Sequence, residues 1–97
     1  MKDRYLEITY RKGRPLAAYY YLPRLPGDTS VRTIGAEAGL RIDFTADNRP
    51  IGIEITAPNK LTLSAFNQAL ASAKQELAAA DELAPLLFDQ TRTAAKS

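Results

Sequence analysis

Polar and apolar residues alternate with a period of two through the first half of the chain, and with a period near 3.6 through the second. In the opening stretch Leu6, Ile8 and Tyr10 share one face, and Tyr5, Glu7 and Thr9 share the other. A Gly-containing loop, "RKGRP", separates this stretch from "LAAYYYLP". There Leu16, Ala18, Tyr20 and Leu22 alternate against Ala17, Tyr19 and Tyr21, so the two segments form a β-hairpin. "RLPGDTS" is a loop, "VRTIG" a short third strand and "EAG" a tight turn. "LRIDFT" sets Leu40, Ile42 and Phe44 against Arg41, Asp43 and Thr45, and "IGIEIT" sets Ile51, Ile53 and Ile55 against Gly52, Glu54 and Thr56. Both are rich in β-branched and aromatic residues, as strands prefer.

From Thr62, a plausible N-cap, the pattern changes. "LSAFNQALASAKQELAAADEL" carries Leu63, Phe66, Leu70, Ala73 and Leu77 at steps of three and four, with no Gly or Pro. It predicts one long amphipathic helix. Pro85 disfavours helical geometry at Ala84, so the helix should end or kink there, with "PLLFDQ" forming a further turn. The expected fold is α+β: an antiparallel β-meander of four to five strands, with one long C-terminal helix packed on one face. It occupies residues 1–88 as a single domain, and residues 89–97 are expected to be a flexible tail.

Side-chain parity restricts the second hairpin. Phe44 must share a face with Ile51 and Ile53, so without a bulge the loop holds an even number of residues. A two-residue loop would set Asp43 against Glu54, two like charges. A four-residue loop, Ala46 to Arg49, sets Arg41 against Glu54 instead, an ion pair worth roughly a few tenths of a kcal/mol at a surface. The longer loop is therefore expected, with Asn48 in a left-handed conformation. The acids then have structural roles: Asp47 and Asn48 supply turn chemistry, Glu54 pairs with Arg41, and Asp43 solvates the outer face.

Composition narrows the chemistry further. The 97 residues include neither Cys nor His, and the net charge is only +2. Disulfides, thiolate chemistry and imidazole acid–base catalysis or metal ligation are thereby excluded. The small net charge gives no strong footprint for nucleic acid or for an anionic membrane. No apolar run approaches the roughly 18 residues of a membrane span, and "MKDRYLEITY" is not a signal peptide, so no membrane role and a cytoplasmic location are expected. Asp43, Asp47 and Glu54 match no metal-loop spacing. No catalytic, cofactor-binding or metal site is assigned, and the protein is not expected to be an enzyme.

The order "YLEITYRKGRPLAAYYYL" then "VRTIGAEAGLRIDFTADNRPIGIEIT" resembles the domain of unknown function 2283 family, small and mainly bacterial proteins. In that family a Tyr-containing hairpin precedes a second hairpin with an Asp-aromatic start and a Gly-Ile-Glu end. Asp43, Phe44, Asp47, Arg49, Gly52, Ile53 and Glu54 fall on its pattern, while Asn48 stands where Gly is usual and Pro50 replaces an aliphatic residue. The resemblance covers about Tyr5 to Ala57. It implies a sheet with a helix and no established activity, and an antitoxin-like or other partner-binding role. It brings no catalytic residues with it.

Two surfaces are candidate interfaces. Tyr19 and Tyr21 lie on the face opposite Tyr20, where they could anchor a protein or stack on bases, with Arg11, Lys12, Arg14 and Arg24 nearby for phosphates. Leu83, Leu86, Leu87 and Phe88 exceed what one amphipathic helix can bury, so they either wrap the sheet edge or meet a second subunit, the latter being preferred. The expected function is that of a non-enzymatic protein-interaction module, a homodimer with a possible small protein partner. The alternative is a nucleic-acid-binding module using the sheet face around Tyr19 and Tyr21.

Overall fold

The computed structural model describes residues 4–87. Five strands form one antiparallel sheet: β1 (Tyr5–Arg11), β2 (Arg14–Tyr21), β3 (Arg32–Ala36), β4 (Leu40–Phe44) and β5 (Pro50–Ile55). A helix, α1 (Leu63–Ser72), and a 3-10 turn at Ala80–Leu83 follow, with residues 84–87 helical. The α+β class and the antiparallel sheet are as expected. Phe88 and the tail assigned to residues 89–97 lie outside the described residues.

The strand order is β1-β2-β5-β4-β3, which corrects the expected meander. The chain leaves β2, crosses to the far edge through residues 22–31, and returns through β3 and β4 so that β5 lies against β2. This is a Greek-key arrangement. The physical reason is burial. Ile51, Gly52, Ile53 and Ile55 are all buried, so β5 has apolar groups to cover on both sides and takes the centre. The more polar β1 and β3 take the edges.

The second hairpin keeps the expected register by a different route. Arg41 stands opposite Glu54 at 3.5 Å, and Asn48 is left-handed with φ 68°. The loop, however, is closed one residue earlier than expected. The Thr45 amide donates to the Arg49 carbonyl (2.9 Å) and the Asn48 amide to the Thr45 carbonyl (3.0 Å), leaving three residues between. A bulge beyond Asp43, where Phe44 pairs with Pro50, restores the parity that the odd loop breaks.

One sheet face carries Ala18, Tyr20, Leu22, Leu40, Ile42, Ile53 and Ile55 into the core against Phe66, Ala69 and Leu70 of α1. The predicted cap holds: Thr62 Oγ1 accepts from the Ala65 amide at 3.0 Å. The single long helix does not. α1 stops at Ser72 in a Schellman closure, in which the Lys74 amide donates to the Ala71 carbonyl and the Gln75 amide to the Leu70 carbonyl. Lys74 occupies the left-handed position with φ 60°, where Gly is usual. Residues 75–79 then run without helix, and the stripe fails at Leu77, which is exposed.

Non-local bonds explain why good helix formers leave the helix. Asn67 Nδ2 donates to the Ala78 carbonyl (3.1 Å), and the Ala78 amide donates to Asn67 Oδ1 (2.7 Å), so one side-chain amide satisfies a backbone turned back along α1. The Tyr20 hydroxyl donates to Glu82 Oε1 (2.5 Å), and the Ala79 amide donates to Glu82 Oε2 (2.9 Å). The return path delivers Leu83 and Leu86 to the core, both fully buried, with Leu87 packed against its margin. Leu83 and Leu86 therefore serve this chain's own core rather than an exposed interface. A straight helix would carry them past the end of the sheet.

The Arg49 guanidinium helps tie down the connection 22–31. Arg49 reaches both Asp28 oxygens, at 2.9 and 2.7 Å, and Asp47 Oδ2 at 2.9 Å. The bidentate geometry suits Arg rather than Lys. The Arg49 bond, and after it that of Thr45, lowers the Asp47 carboxyl to about 2 from an ordinary 3.8; Asp28 is lowered by the same guanidinium and by the Leu25 amide.

Two outcomes are expected. Asn67→Ala leaves both backbone groups of Ala78 without their partner and lowers stability by about 1–3 kcal/mol in denaturant unfolding. Because the folded-state value of Asp47 lies below its unfolded one, its stabilisation is present above pH 3.8 and is lost as pH falls through about 2. Arg49→Gln should flatten the acid limb of the stability profile in that window, whereas a limb equal to that of the native chain would remove the clamp from the account.

Candidate functional site

The sheet has a second face, and among the described residues α1 and the C-terminal segment lie on the other side of it. Strand parity places Tyr5, Glu7, Tyr19, Tyr21, Thr33, Arg41, Asp43, Gly52 and Glu54 here. The registers align them in two rows. One runs Tyr5, Tyr21, Gly52, Asp43, Thr33, and the other Glu7, Tyr19, Glu54, Arg41, Gly35.

A glycine organises these rows. Tyr19 belongs to the second row, yet its ring leans across Gly52 so that its hydroxyl donates to Asp43 Oδ2 at 2.8 Å. A Cβ on Gly52 would sit 2.1 Å from the Tyr19 hydroxyl oxygen and 2.3 Å from its ring carbons. Gly is therefore required for close approach of a side chain, not for an unusual backbone angle. Thr33 Oγ1 donates to the other Asp43 oxygen at 2.6 Å. Asp43 does more than solvate the outer face; it receives hydroxyls from both sides.

The tyrosines form one cluster. Tyr5 stacks on Tyr21 with ring centroids 4.3 Å apart and planes 13° from parallel, and Tyr19 meets Tyr21 edge-on at 4.7 Å. The Tyr21 hydroxyl donates to Glu7 Oε1 at 2.9 Å. Arg24 lies over the Tyr21 ring at 5.2 Å and donates to the Ile51 carbonyl at 2.7 Å. Burial, then the Asp43 bond, pushes the Tyr19 hydroxyl well above its ordinary value. The Glu7 bond, with burial adding to it, also raises the Tyr21 hydroxyl. These hydroxyls remain protonated at physiological pH and act as donors, not as bases or nucleophiles.

The sequence placed Tyr19 and Tyr21 on this face, and the structure brings them together with Arg41, Asp43, Gly52 and Glu54. Asp47 and Asn48 stay in the turn, and Arg11, Lys12 and Arg14 sit at the far end of the first hairpin, away from the cluster. Tyr5, Glu7 and Thr33 join this face without being among the residues expected there, and Arg24, expected near phosphates, covers Tyr21 instead. Parity had already put Tyr5 and Glu7 on the same face as Tyr19 and Tyr21, and carrying the hairpin register through would have paired them. Asp43 and Glu54, the candidate carboxylates, are engaged by hydroxyls and by Arg41. No group of three or more His, Cys, Asp or Glu side chains that could hold a metal occurs among the described residues. No helix among them is long and apolar enough to cross a membrane.

No family model matches the chain, nor does any curated protein or solved structure.

The crossing of Gly52 by Tyr19 is open to a double-mutant cycle. Gly52→Ala should cost about 1–2 kcal/mol by displacing Tyr19 from Asp43. In a Tyr19→Ala background the same change should be neutral or stabilising, because a strand interior favours Ala over Gly. Equal costs in both backgrounds, measured by urea unfolding, would dismiss the close-approach account.

Proposed function

We propose that this is a non-enzymatic protein-interaction module that self-associates through the open face of its sheet. One observation carries the reading. The face presents three tyrosine rings already ordered against each other, with two of their hydroxyls bonded to acids of the same chain. Aromatic surface held in place loses little conformational entropy on burial, and tyrosine is enriched at interfaces for that reason.

A second copy is the occupant because the face is electrostatically mixed. Glu7, Asp43 and Glu54 lie among Arg24 and Arg41, so two copies related by a two-fold axis can set acids of one against bases of the other. The same acids weigh against the nucleic-acid alternative at this face, since three carboxylates beside the tyrosines would repel phosphates. A small protein partner in an antitoxin-like arrangement would use the same surface. Kinship with the domain of unknown function 2283 family is part of the proposal: Asp43, Gly52 and Glu54, on which the resemblance rests, each have a role in ordering this face.

Light scattering at increasing concentration tests the reading. The native chain should reach a dimer, and Tyr5→Ser with Tyr21→Ser should weaken association at least tenfold while leaving the far-ultraviolet circular dichroism unchanged. A chain that stays monomeric and carries no small partner from its native host would overturn the proposal.

A further inference from the structure

Beyond the three-stranded overlap near Ala18, β1 and β2 pair with no other strand among the described residues. The pairing of β2 with β5 covers Ala18 to Tyr21 alone, so residues 9–17 form a free two-stranded ribbon. Its tip is a two-residue turn, Lys12 and Gly13, with φ of 54° and 78°, both positive as a type I′ turn requires. Arg11 and Arg14 stand directly opposite each other across it.

Two local rules are broken at this tip. Like charges directly opposite on paired strands destabilise a hairpin. Lysine is also a poor occupant of the first turn position, where Asn, Asp or Gly adopts positive φ at less cost. The charge cost is not relieved among the described residues, where Arg11, Lys12 and Arg14 make no ion pair, and no acid occurs from Ile8 to Ala18. Costs of this kind, gathered at one exposed point, mark a site whose gain lies in a partner. The flanks are apolar: Tyr10 is 52% exposed, and Leu16, the extra residue of a bulge between Thr9 and Tyr10, is 51% exposed.

We infer that the β1–β2 ribbon is a DNA-binding finger, separate from the tyrosine face, which enters the major groove of B-form duplex with Arg11, Lys12 and Arg14 on phosphates. The partner follows from charge and width. Two guanidiniums suit bidentate phosphate contact, and the B-form major groove, about 12 Å wide, admits a two-stranded ribbon. The A-form major groove of duplex RNA is too narrow for one. An anionic membrane is the lesser fit, since one Leu and one Tyr give little apolar surface to insert. The chain's low net charge does not oppose the reading, because the cations that matter are concentrated at one end of the sheet.

The test uses the full chain and a fluorescein-labelled mixed-sequence DNA duplex of about 20 base pairs, one that can hold the ribbon across at least one turn of the groove. With three phosphates neutralised, the logarithm of affinity should fall against that of salt with a slope of about −2.7, roughly forty-fold between about 50 and 200 mM NaCl. Arg11→Ala with Arg14→Ala should weaken binding at least tenfold and cut the slope to about −0.9. Lys12→Asn should weaken binding while raising the thermal midpoint, a pairing that a purely structural turn would not produce. A duplex RNA of the same length should bind at least tenfold more weakly. Binding that is absent, insensitive to salt, unchanged in Arg11→Ala with Arg14→Ala, or equal for the two duplexes would overturn the inference. So would capture by phosphatidylserine vesicles in preference to DNA.

Discussion

The pairing of β2 with β5, Tyr19 against Glu54 and Tyr20 against Ile53, joins two otherwise separate hairpin units into one sheet. β1 and β2 are local partners, and β3, β4 and β5 form a local meander. Only the β2–β5 seam is long-range within the sheet, and both faces of the molecule depend on its register. Shifted by one residue, Tyr20 would leave the core for the open face and Tyr19 would be buried without Asp43 to receive its hydroxyl. The side chains on the two sides of the seam make that shift costly. Ile53 and Ile55 need cover on the helix side, and on the other side Gly52 leaves room for the Tyr19 ring.

The C-terminal third follows from the same seam. Tyr20 projects from β2 beneath α1, meeting Phe66 edge-on at 4.9 Å, and its hydroxyl extends past the helix to Glu82. A continuous helix would leave that hydroxyl without this acceptor and would strand Leu83 and Leu86 in solvent. Ending α1 at Ser72 places a non-Gly residue in a left-handed conformation, a modest strain, and in return two leucines and Ala78 are buried. Burial of that size outweighs the strain and the lost helical bonds.

Satisfied and unsatisfied charges are segregated on the surface. On the open face Arg41 pairs with Glu54, and the Tyr19 and Tyr21 hydroxyls are fixed by Asp43 and Glu7. At the ribbon tip three cations are set together with no ion-pair partner among the described residues. The first arrangement is the basis of the self-association proposed for that face, and the second of the duplex contact inferred for the ribbon. Little of this could be seen from net charge, which averages the two regions. The tyrosine face was half legible, because period-two alternation assigns each ring to a side. The lean of Tyr19 across a neighbouring strand was not, because it depends on which strand becomes that neighbour.

Alternation in the sequence determined the sides of most residues in β1, β2, β4 and β5, though not the two bulges that interrupt it. Together with charge pairing it determined the Arg41–Glu54 register, the left-handed Asn48 and the Thr62 cap. These depend on contacts a few residues apart, where backbone preference and the sign of adjacent charges are decisive. The tertiary structure alone decided the strand order, the helix end at Ser72, the burial of Leu83 and Leu86, and the meeting of Tyr19 with Asp43 over Gly52. Each of these settles a competition for the same buried space between segments distant in the chain. Local propensity, at roughly 1 kcal/mol per residue or less, is smaller than the burial of the side chains it would displace.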